Sequence, residues 1–196
     1  MIPILILAAG QSSRMRGADK LLEQIDEEPL IAKQARQALS LGGDVFVAMA
    51  PGQAERLEAL NGIQVTPLLI PEAAEGMGGT MREAVARLPQ CPAFMMVLGD
   101  LVAITPADFQ AVYDGYLENP DQLIWRGATE SGEAGHPIIF SADLRPKFAQ
   151  LSGDTGGENF VRPLKDKTML VPLEGNRARM DLDTPEDWAA WRALNR

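Results

Sequence analysis

The chain has 196 residues, a formal net charge of −9 at pH 7, and 46% hydrophobic and 23% charged residues. This length and composition predict one globular domain over residues 1–196 and exclude fibrous or largely disordered chains. The acidic balance argues against a nucleic-acid partner, which needs clustered Lys and Arg, and the lack of an apolar run near the roughly 20 residues that cross a bilayer argues against a membrane partner.

The first predicted element is a buried strand that leads into a small-residue, basic loop. Residues 5–7 are aliphatic without interruption, which favours a central parallel strand covered on both faces. The small residues at positions 8–10 would let backbone N–H groups approach a ligand. The cations Arg14, Arg16 and Lys20 follow at once. Because ligands of open α/β sheets collect at the carboxyl ends of strands, this stretch predicts an anion site.

Strand and helix patterns then alternate along the chain. The predicted strands are 45–50, 63–70 and 93–98, and the predicted helices are 29–41, 54–60, 80–88 and one that begins after Thr105. Thr80 has capping-box spacing to Glu83, and Thr105 is followed by Pro106 and by Asp108 at the third helical position. The order βαβα is typical of α/β proteins with a parallel sheet.

The last third of the chain is less regular. Its predicted elements are strands 123–125, 137–140 and 169–172, a short helix 141–151, a polar loop 152–157 and a terminal helix opened by Thr184-Pro185. The first two of these strands should pair as a hairpin-like extension across a loop from Gly127 to His136. Pro172 indicates that its strand lies at an edge or ends there.

Four features should converge if the strands lie parallel, because parallel strands align their carboxyl ends along one edge of a sheet. They are the loop 10–20, the glycine-rich loop 76–80, Asp100, and either Asp181 or Asp183. A carboxylate that directly follows a strand at that edge is well placed to hold Mg²⁺ against substrate phosphates. The residues therefore indicate a site for phosphates and a metal.

The basic loop differs from two common nucleotide-binding motifs. It lacks the Gly-Lys-Ser/Thr of a P-loop and the Gly-x-Gly-x-x-Gly of a dinucleotide-binding fold, which disfavours kinase-like and hydride-transfer functions. A phosphate grip of backbone amides and long cations, with a metal opposite, suits attack at an α-phosphate. There, charge builds on the non-bridging oxygens and on the departing pyrophosphate.

Several motifs, taken in chain order, resemble those of the MobA/MocA-like nucleotidyltransferase family. Residues 7–15 read Leu-Ala-Ala-Gly-x-Ser-x-Arg-Met, with Lys20 a few positions on. Further matches are Gly76 to Thr80, Leu98-Gly99-Asp100, Gly135-His136-Pro137, Gly153-Asp154-x-Gly156 and Asp181 to Asp187. The resemblance spans nearly the whole chain. It implies a three-layer, Rossmann-like nucleotidyltransferase α/β fold, with a mostly parallel central sheet flanked by helices, and Mg²⁺-dependent transfer of a nucleoside monophosphate to a phosphorylated acceptor.

The resemblance also implies roles for individual residues. Arg14, Lys20 and Asp100 would be catalytic, and Asp100 and Asp183 would hold Mg²⁺. The residues implied to contact the nucleotide or acceptor are Leu7, Ala8, Ala9, Gly10, Ser12, Arg14, Lys20, Gly78, Gly79, Thr80 and His136. The loop is one residue longer than the family's Arg-Met-Gly-x-x-Lys, so Arg16 and Lys20 are both candidates for the lysine that grips phosphate. His136 is either a residue that stabilises the turn at Gly135-His136-Pro137 or an acceptor contact.

The donor and the acceptor are implied by a narrower resemblance. Leu-Ala-Ala-Gly, rather than Leu-Ala-Gly-Gly, is similar to the cytidylyltransferase branch, which implies CTP as donor, molybdopterin as acceptor, and transient contact with a molybdoenzyme or its chaperone. Leu101-Val102 stands where members of that branch often carry Gln-Pro, so the acceptor stays open. The alternatives are a guanylyltransferase, a transferase for a sugar phosphate or other small phosphorylated acceptor, and a non-catalytic module that delivers a cofactor.

Cysteine usage and the amino-terminal residues bear on the cellular compartment. The single Cys91 excludes an internal disulfide, which points weakly to a reducing compartment. The amino-terminal apolar run is short and no Lys or Arg precedes it, unlike a secretory signal peptide. We therefore expect a cytoplasmic protein.

Overall fold

A computed structural model describes residues 1–195 of the chain, which folds around a central sheet. The strands are β1 Ile4–Leu7, β2 Gln24–Ile25, β3 Glu28–Pro29, β4 Val45–Met49, β5 Thr66–Leu69, β6 Ala93–Leu98, β7 Ile124–Ala128, β8 Ala134–Ser141 and β9 Thr168–Pro172. Seven of them form one sheet in the order β5-β4-β1-β6-β8-β7-β9, and β2 and β3 form a separate two-stranded ribbon.

The sheet is mostly parallel, as the family resemblance implied. β1 pairs in parallel with β4 and β6, β4 pairs in parallel with β5, and β7 pairs in parallel with β9. β8 runs antiparallel to both of its neighbours, β6 and β7. The predicted hairpin-like pairing of β7 with β8 is therefore present, and β9 lies at the edge that Pro172 indicated. β1, which leads into the basic loop, lies in the middle of the parallel half.

Helices cover both faces of this sheet. They are α1 Leu30–Leu39, α2 Ala54–Ala59, α3 Met77–Arg87, α4 Pro106–Glu118, α5 Arg145–Phe148, α6 Glu158–Val161 and α7 Pro185–Leu194. The predicted cap at Thr105 is present as a full capping box with Asp108, and Thr184 forms a second box with Asp187 at the start of α7. None of the helices in residues 1–195 combines the length and the apolar character that a bilayer crossing requires.

The core lies on both sides of the sheet, and β1 shows why its sequence lacks polar residues. Ile4 and Ile6 pack into one apolar cluster, with α1, while Leu5 and Leu7 pack into the other, with α3. All four are at most 8% exposed. Full burial of each such side chain stabilises the fold by about 1.5–3 kcal/mol. The uninterrupted aliphatic run therefore anchors the loop that follows it.

Two glycine-containing segments differ from the sequence prediction. The helix expected to start at Thr80 begins at Met77, and the Thr80 hydroxyl donates to the carbonyl of Gly76 at 3.1 Å from inside the helix. Gly76 has φ +111°, which lies outside the helical region and which residues other than glycine rarely adopt. The helix can therefore begin only after Gly76. Gly127 and His136 were expected in a loop but lie within β7 and β8. A Cβ at Gly127 would lie 2.6 Å from the carbonyl oxygen of His136, so this glycine allows close strand packing rather than a turn.

Candidate functional site

The carboxyl ends of β1 and β6 open into a cleft of about 600 Å³. All four features that the sequence predicted to converge line this cleft. The predicted site residues that line it are Leu7, Ala8, Ala9, Gly10, Ser12, Arg14, Lys20, Thr80, Asp100, Asp181 and Asp183, and Met77 and Asp154 also line it. The parallel pairing of β1 with β6 produces this arrangement, because it places the ends of the two strands side by side.

The backbone of the loop after β1 presents donors to the cleft. The carbonyl of Ala8 accepts a hydrogen bond from Arg56 at 2.6 Å, and that of Gly10 accepts one from Gln53 at 3.2 Å. In a trans peptide the next residue's N–H points opposite to the carbonyl, so the amides that follow are turned away from α2. Within residues 1–195 the amides of residues 9–11 have no hydrogen-bond acceptor. They are therefore available to an anion.

The cations of the loop occupy different positions. The Nζ of Lys20 lies 2.6 Å from Asp100 Oδ2 and 2.6 Å from Asp183 Oδ1, and its side chain is only 15% exposed. Arg14 pairs with Asp183 at the mouth of the cleft. Arg16 turns outward, 72% exposed, and pairs with Glu186 at 2.7 Å. Of the two candidates for the phosphate-gripping lysine, Lys20 is the one that reaches the cleft.

The charge on Lys20 is set by two opposing effects. Burial lowers its pKa, but the charge and hydrogen bonds of Asp100, and then those of Asp183, outweigh burial and leave the pKa raised. The ammonium is therefore retained at neutral pH. For Asp181, burial and the charge of Asp100 both raise the pKa of the carboxyl, so they disfavour its charged form. Lys20 thus neutralises a site with an excess of carboxylates.

A short β-bridge brings the carboxyl-terminal aspartates to the cleft. Leu101, one residue after Asp100, forms an antiparallel bridge with Asp181, and the amide of Val102 donates to the carbonyl of Met180 at 3.1 Å. This bridge sets the segment that carries Asp181 and Asp183 beside the end of β6. The sequence predicted that either Asp181 or Asp183 would reach the cleft, and in the structure both line it.

The three carboxylates fit a divalent cation. Asp100, Asp181 and Asp183 each offer one oxygen, and these oxygens lie within 4.8 Å of one another. Asp100 Oδ1 is buried without a hydrogen-bond partner among the described residues, an arrangement that costs free energy unless a ligand satisfies it. Oxygen donors of this kind suit Mg²⁺ or Mn²⁺.

Gly78 and Gly79, which the sequence placed in a glycine-rich loop, lie in the first turn of α3. Thr80 lines the cleft, whereas Gly78 and Gly79 are buried against neighbouring loops. The amide of Gly78 donates to the carbonyl of Gly153 at 2.7 Å, and a Cβ at Gly78 would lie 2.7 Å from the carbonyl oxygen of Ser152. The close approach of α3 to the loop at Ser152 and Gly153 therefore requires glycine, and a contact of Gly78 and Gly79 with a base stays a prediction.

His136 lies in β8 rather than in a turn, so the turn-stabilising role proposed for it is wrong. Its Nδ1 is 3.4 Å from the carbonyl of Met96, on β6. Burial of the ring and the positive charge of Arg126 lower the pKa of His136 to about 4, which keeps the imidazole neutral near pH 7. His136 is outside the lining of the cleft, and its contact with an acceptor stays a prediction.

Sequence reasoning missed two residues that hold the loop, Arg56 in α2 and Gln53 directly before it. Arg56 is 2% exposed and reaches Ala8 and Asp19, and Gln53 bonds the carbonyl of Gly10. The available signal was helical spacing, because Arg56 lies four residues before the buried Leu60 and hence on the inner face. An arginine on such a face needs polar partners.

The sequence of this chain is similar to those of known proteins. The family model for the MobA-like NTP transferase domain matches residues 4–168. The bifunctional protein GlmU of Leifsonia xyli is 34% identical over 200 residues, which cover 82% of this chain and 41% of GlmU. The chain thus spans less than half the length of the curated relatives it matches.

Solved structures share the fold over the whole chain. Rv0371c from Mycobacterium tuberculosis has a TM-score of 0.80 at 25% identity, covering 100% of this chain and 98% of that one. A manganese complex of Rv0371c has a TM-score of 0.78 at 22% identity, covering 96% of each chain. A CMP:2-keto-3-deoxy-manno-octonic acid synthetase complexed with CTP has a TM-score of 0.75 at 16% identity, covering 100% and 98%.

Proposed function

The chain belongs to the MobA-like NTP transferase domain family, and from this premise we propose that it transfers a nucleoside monophosphate, foremost CMP from CTP, to a phosphorylated acceptor. One observation carries the proposal. Free loop amides, a charged Lys20 and three clustered carboxylates face one cleft at the ends of β1 and β6. Pure nucleotide binding does not require this set, which argues against a non-catalytic delivery module.

The protein's own groups would act chiefly by positioning and by neutralising charge. The amides of residues 9–11 and the side chains of Arg14 and Lys20 would hold the triphosphate. An oxygen of the acceptor phosphate attacks the α-phosphorus, the bond from that phosphorus to the bridging oxygen breaks, and pyrophosphate leaves with the electron pair. The acceptor phosphate is already ionised near neutral pH, so alignment replaces a general base.

The proposal includes a divalent cation, Mg²⁺ under physiological conditions. Asp100 and Asp183, together with Asp181, would hold it, as the donor chemistry and the unpartnered Asp100 Oδ1 support. The manganese complex of Rv0371c is a further support. When bound, such a cation supplies charge stabilisation for the transferring phosphoryl group and for departing pyrophosphate.

Cytidylyl transfer to molybdopterin is the finer part of the proposal. It is supported by the Leu-Ala-Ala-Gly stretch at residues 7–10 and by the shared fold of a synthetase complexed with CTP. The product would then pass to a molybdoenzyme or its chaperone in the cytoplasm. A guanylyl donor, or a sugar-type acceptor as the name of that synthetase suggests, would use the same cleft residues and is the alternative to be tested.

The test is pyrophosphate release with each of the four NTPs, in Mg²⁺ or Mn²⁺, against molybdopterin and a panel of sugar phosphates. We expect turnover with CTP and molybdopterin. Turnover with GTP alone would reject the cytidylyl assignment, and turnover only with sugar phosphates would reject molybdopterin. Absence of pyrophosphate release with every pair would reject the transferase.

The matching variant is Asp100→Asn, with Asp166→Asn, an exposed aspartate, as control. Asp100→Asn should reduce turnover by about 100-fold or more, because it weakens electrostatic stabilisation at the reacting phosphate. Its thermal melt should stay close to that of the wild type. Full activity in Asp100→Asn would refute the metal assignment.

A further inference from the structure

One side chain on the inner face of α2, that of Arg56, donates hydrogen bonds to the start and to the end of the basic loop, at Ala8 and at Asp19. Arg56 is 2% exposed, and its guanidinium makes hydrogen bonds in three directions. Its Nη1 donates to the carbonyl of Ala8 at 2.6 Å, where the loop leaves β1. Its Nε and Nη2 donate to the two carboxylate oxygens of Asp19 at 2.6 and 2.8 Å, and Nη2 also lies 3.3 Å from Ser12 Oγ.

Asp19 passes this constraint on to Lys20. Its Oδ1 accepts from the amide of Leu21 at 3.0 Å and from the hydroxyl of Ser12 at 3.1 Å. The amide of Lys20 in turn donates to Ser12 Oγ at 3.2 Å. The backbone on both sides of the Lys20 Cα is therefore tied to a carboxylate and a hydroxyl that Arg56 holds.

The hydrogen bond from Arg56 to the carbonyl of Ala8 orients the start of the loop, where it leaves β1. Because the Ala8 carbonyl is turned toward α2, the amide of Ala9 is turned away from it, with the free amides of the loop. Only a guanidinium offers donors in a rigid, planar fork that matches a carboxylate with two parallel bonds and still reaches a third acceptor. A lysine at position 56 would keep the charge but could not make all of these bonds.

We propose that Arg56 is a positioning residue for the nucleotide, which acts through Asp19 and Ser12 on Lys20 and through Ala8 on the loop amides. The inference rests on the proposed function, since it assumes that these groups bind the triphosphate. Within the described chain Arg56 does not line the cleft, so it acts on the ligand only through the loop.

The kinetic test uses Arg56→Lys and Asp19→Asn, which keep buried polar groups and similar volume. For Arg56→Lys, kcat/KM for the NTP should fall about 10- to 100-fold, as expected when catalytic groups are misplaced by a fraction of an ångström to an ångström. The KM for the acceptor should stay within about twofold of the wild type, because the proposal assigns this loop to the triphosphate and not to the acceptor. The double variant should lose no more kcat/KM than the more impaired of the two single variants, because both changes break one network.

The matched control is Arg36→Lys, which changes an exposed arginine paired with Glu28 through one bond of 3.2 Å. It should leave both KM values unchanged. If Arg56→Lys affects the NTP and the acceptor equally, or affects neither more than Arg36→Lys does, the positioning role is refuted.

Hydrogen exchange of the protein without nucleotide separates this inference from the proposed function. In Arg56→Lys the hydrogen-bonded amides of the loop, which are those of Met15, Ala18, Lys20, Leu21 and Leu22, should exchange faster, while those of β4 and β6 stay protected. Faster exchange throughout the sheet would mean a general loss of stability and would overturn the inference, as would unchanged exchange at these five amides. If the wild type released no pyrophosphate from any NTP, the proposed function would fail, and the exchange result would still decide whether Arg56 orders the loop.

Discussion

Replacing Lys20 by methionine should make the cleft bind a divalent cation more tightly in the absence of nucleotide, although it should abolish turnover. The Nζ of Lys20 lies 2.6 Å from Asp100 Oδ2 and 2.6 Å from Asp183 Oδ1, so its positive charge sits beside the carboxylates that would hold a cation. A cation on these carboxylates is repelled by the ammonium even when it uses the free Asp100 Oδ1. The Lys20→Met variant would leave the three carboxylates in place with similar side-chain volume and without the competing charge.

Coulomb's law gives the size of the effect. A dication and an ammonium about 6 Å apart repel each other by about 1.4 kcal/mol at the dielectric constant of water and by about 5.5 kcal/mol at an effective value near 20. The cleft opens to solvent and the freed ammonium can swing outward, so the lower value applies. Because about 1.4 kcal/mol corresponds to a tenfold change in Kd, Lys20→Met should bind Mn²⁺ about ten times more tightly than the wild type.

The assay is calorimetric titration with Mn²⁺, repeated with Mg²⁺, at low ionic strength and without nucleotide. The control is Lys33→Met, which makes the same change in net charge on α1, where Lys33 pairs with the exposed Asp26. It should leave Mn²⁺ affinity nearly unchanged. Mn²⁺ affinity in Lys20→Met that is equal to or weaker than that of Lys33→Met would refute the view that lysine and metal compete for the same carboxylates.

Three further variants test the electrostatics and packing around the cleft. Because burial lowers the pKa of His136 to about 4, the wild type should lose up to about 3 kcal/mol of stability as the pH falls from 6.5 toward 4, a loss that His136→Gln should reduce in urea unfolding curves. Gly76→Ala places a Cβ 2.1 Å from Asp154 Oδ1 at φ +111°, and should cost roughly 1–3 kcal/mol and weaken NTP binding; an unchanged thermal melt would contradict this. Asp181→Asn should raise the melting temperature near neutral pH, because burial and Asp100 raise the pKa of the wild-type carboxyl and so disfavour its ionised form. That gain should disappear below the ordinary aspartate value of 3.8, where the wild type is protonated as well, and a gain at all pH values would point to another cause.

The fold was predictable where short sequence patterns determine the burial of a strand or the start of a helix. The aliphatic run of β1 reported burial on both faces, and the Thr-Pro-x-Asp patterns at Thr105 and Thr184 marked helix starts through short-range hydrogen bonds. The family resemblance predicted the mostly parallel sheet. Gly76 and Gly127 were harder, because the same residue type serves turns, helix starts and close backbone contacts, and only the neighbouring strand or loop distinguishes them.

The candidate site was predictable where it depends on strand ends and was not where it depends on long-range partners. Asp100 follows a strand, so its place at the cleft could be read from the sequence. The choice between Arg16 and Lys20 depends on how the loop turns, which residue spacing alone does not specify. The contacts of Arg56 could not be predicted, because its partners Ala8 and Asp19 are 48 and 37 positions away in the chain.

The carboxylate cluster is completed by a segment that lies outside the central sheet. In the described chain every strand of the sheet ends by Pro172, whereas Asp181 and Asp183 come afterwards. Their segment is tied to the end of β6 by the bridge between Leu101 and Asp181 and by the hydrogen bond from the amide of Val102 to the carbonyl of Met180. Asp100 and the loop 10–20 are thus fixed by the sheet itself, whereas the other two carboxylates are held by one local backbone contact. Breaking that contact would disperse the three carboxylates without disrupting any strand.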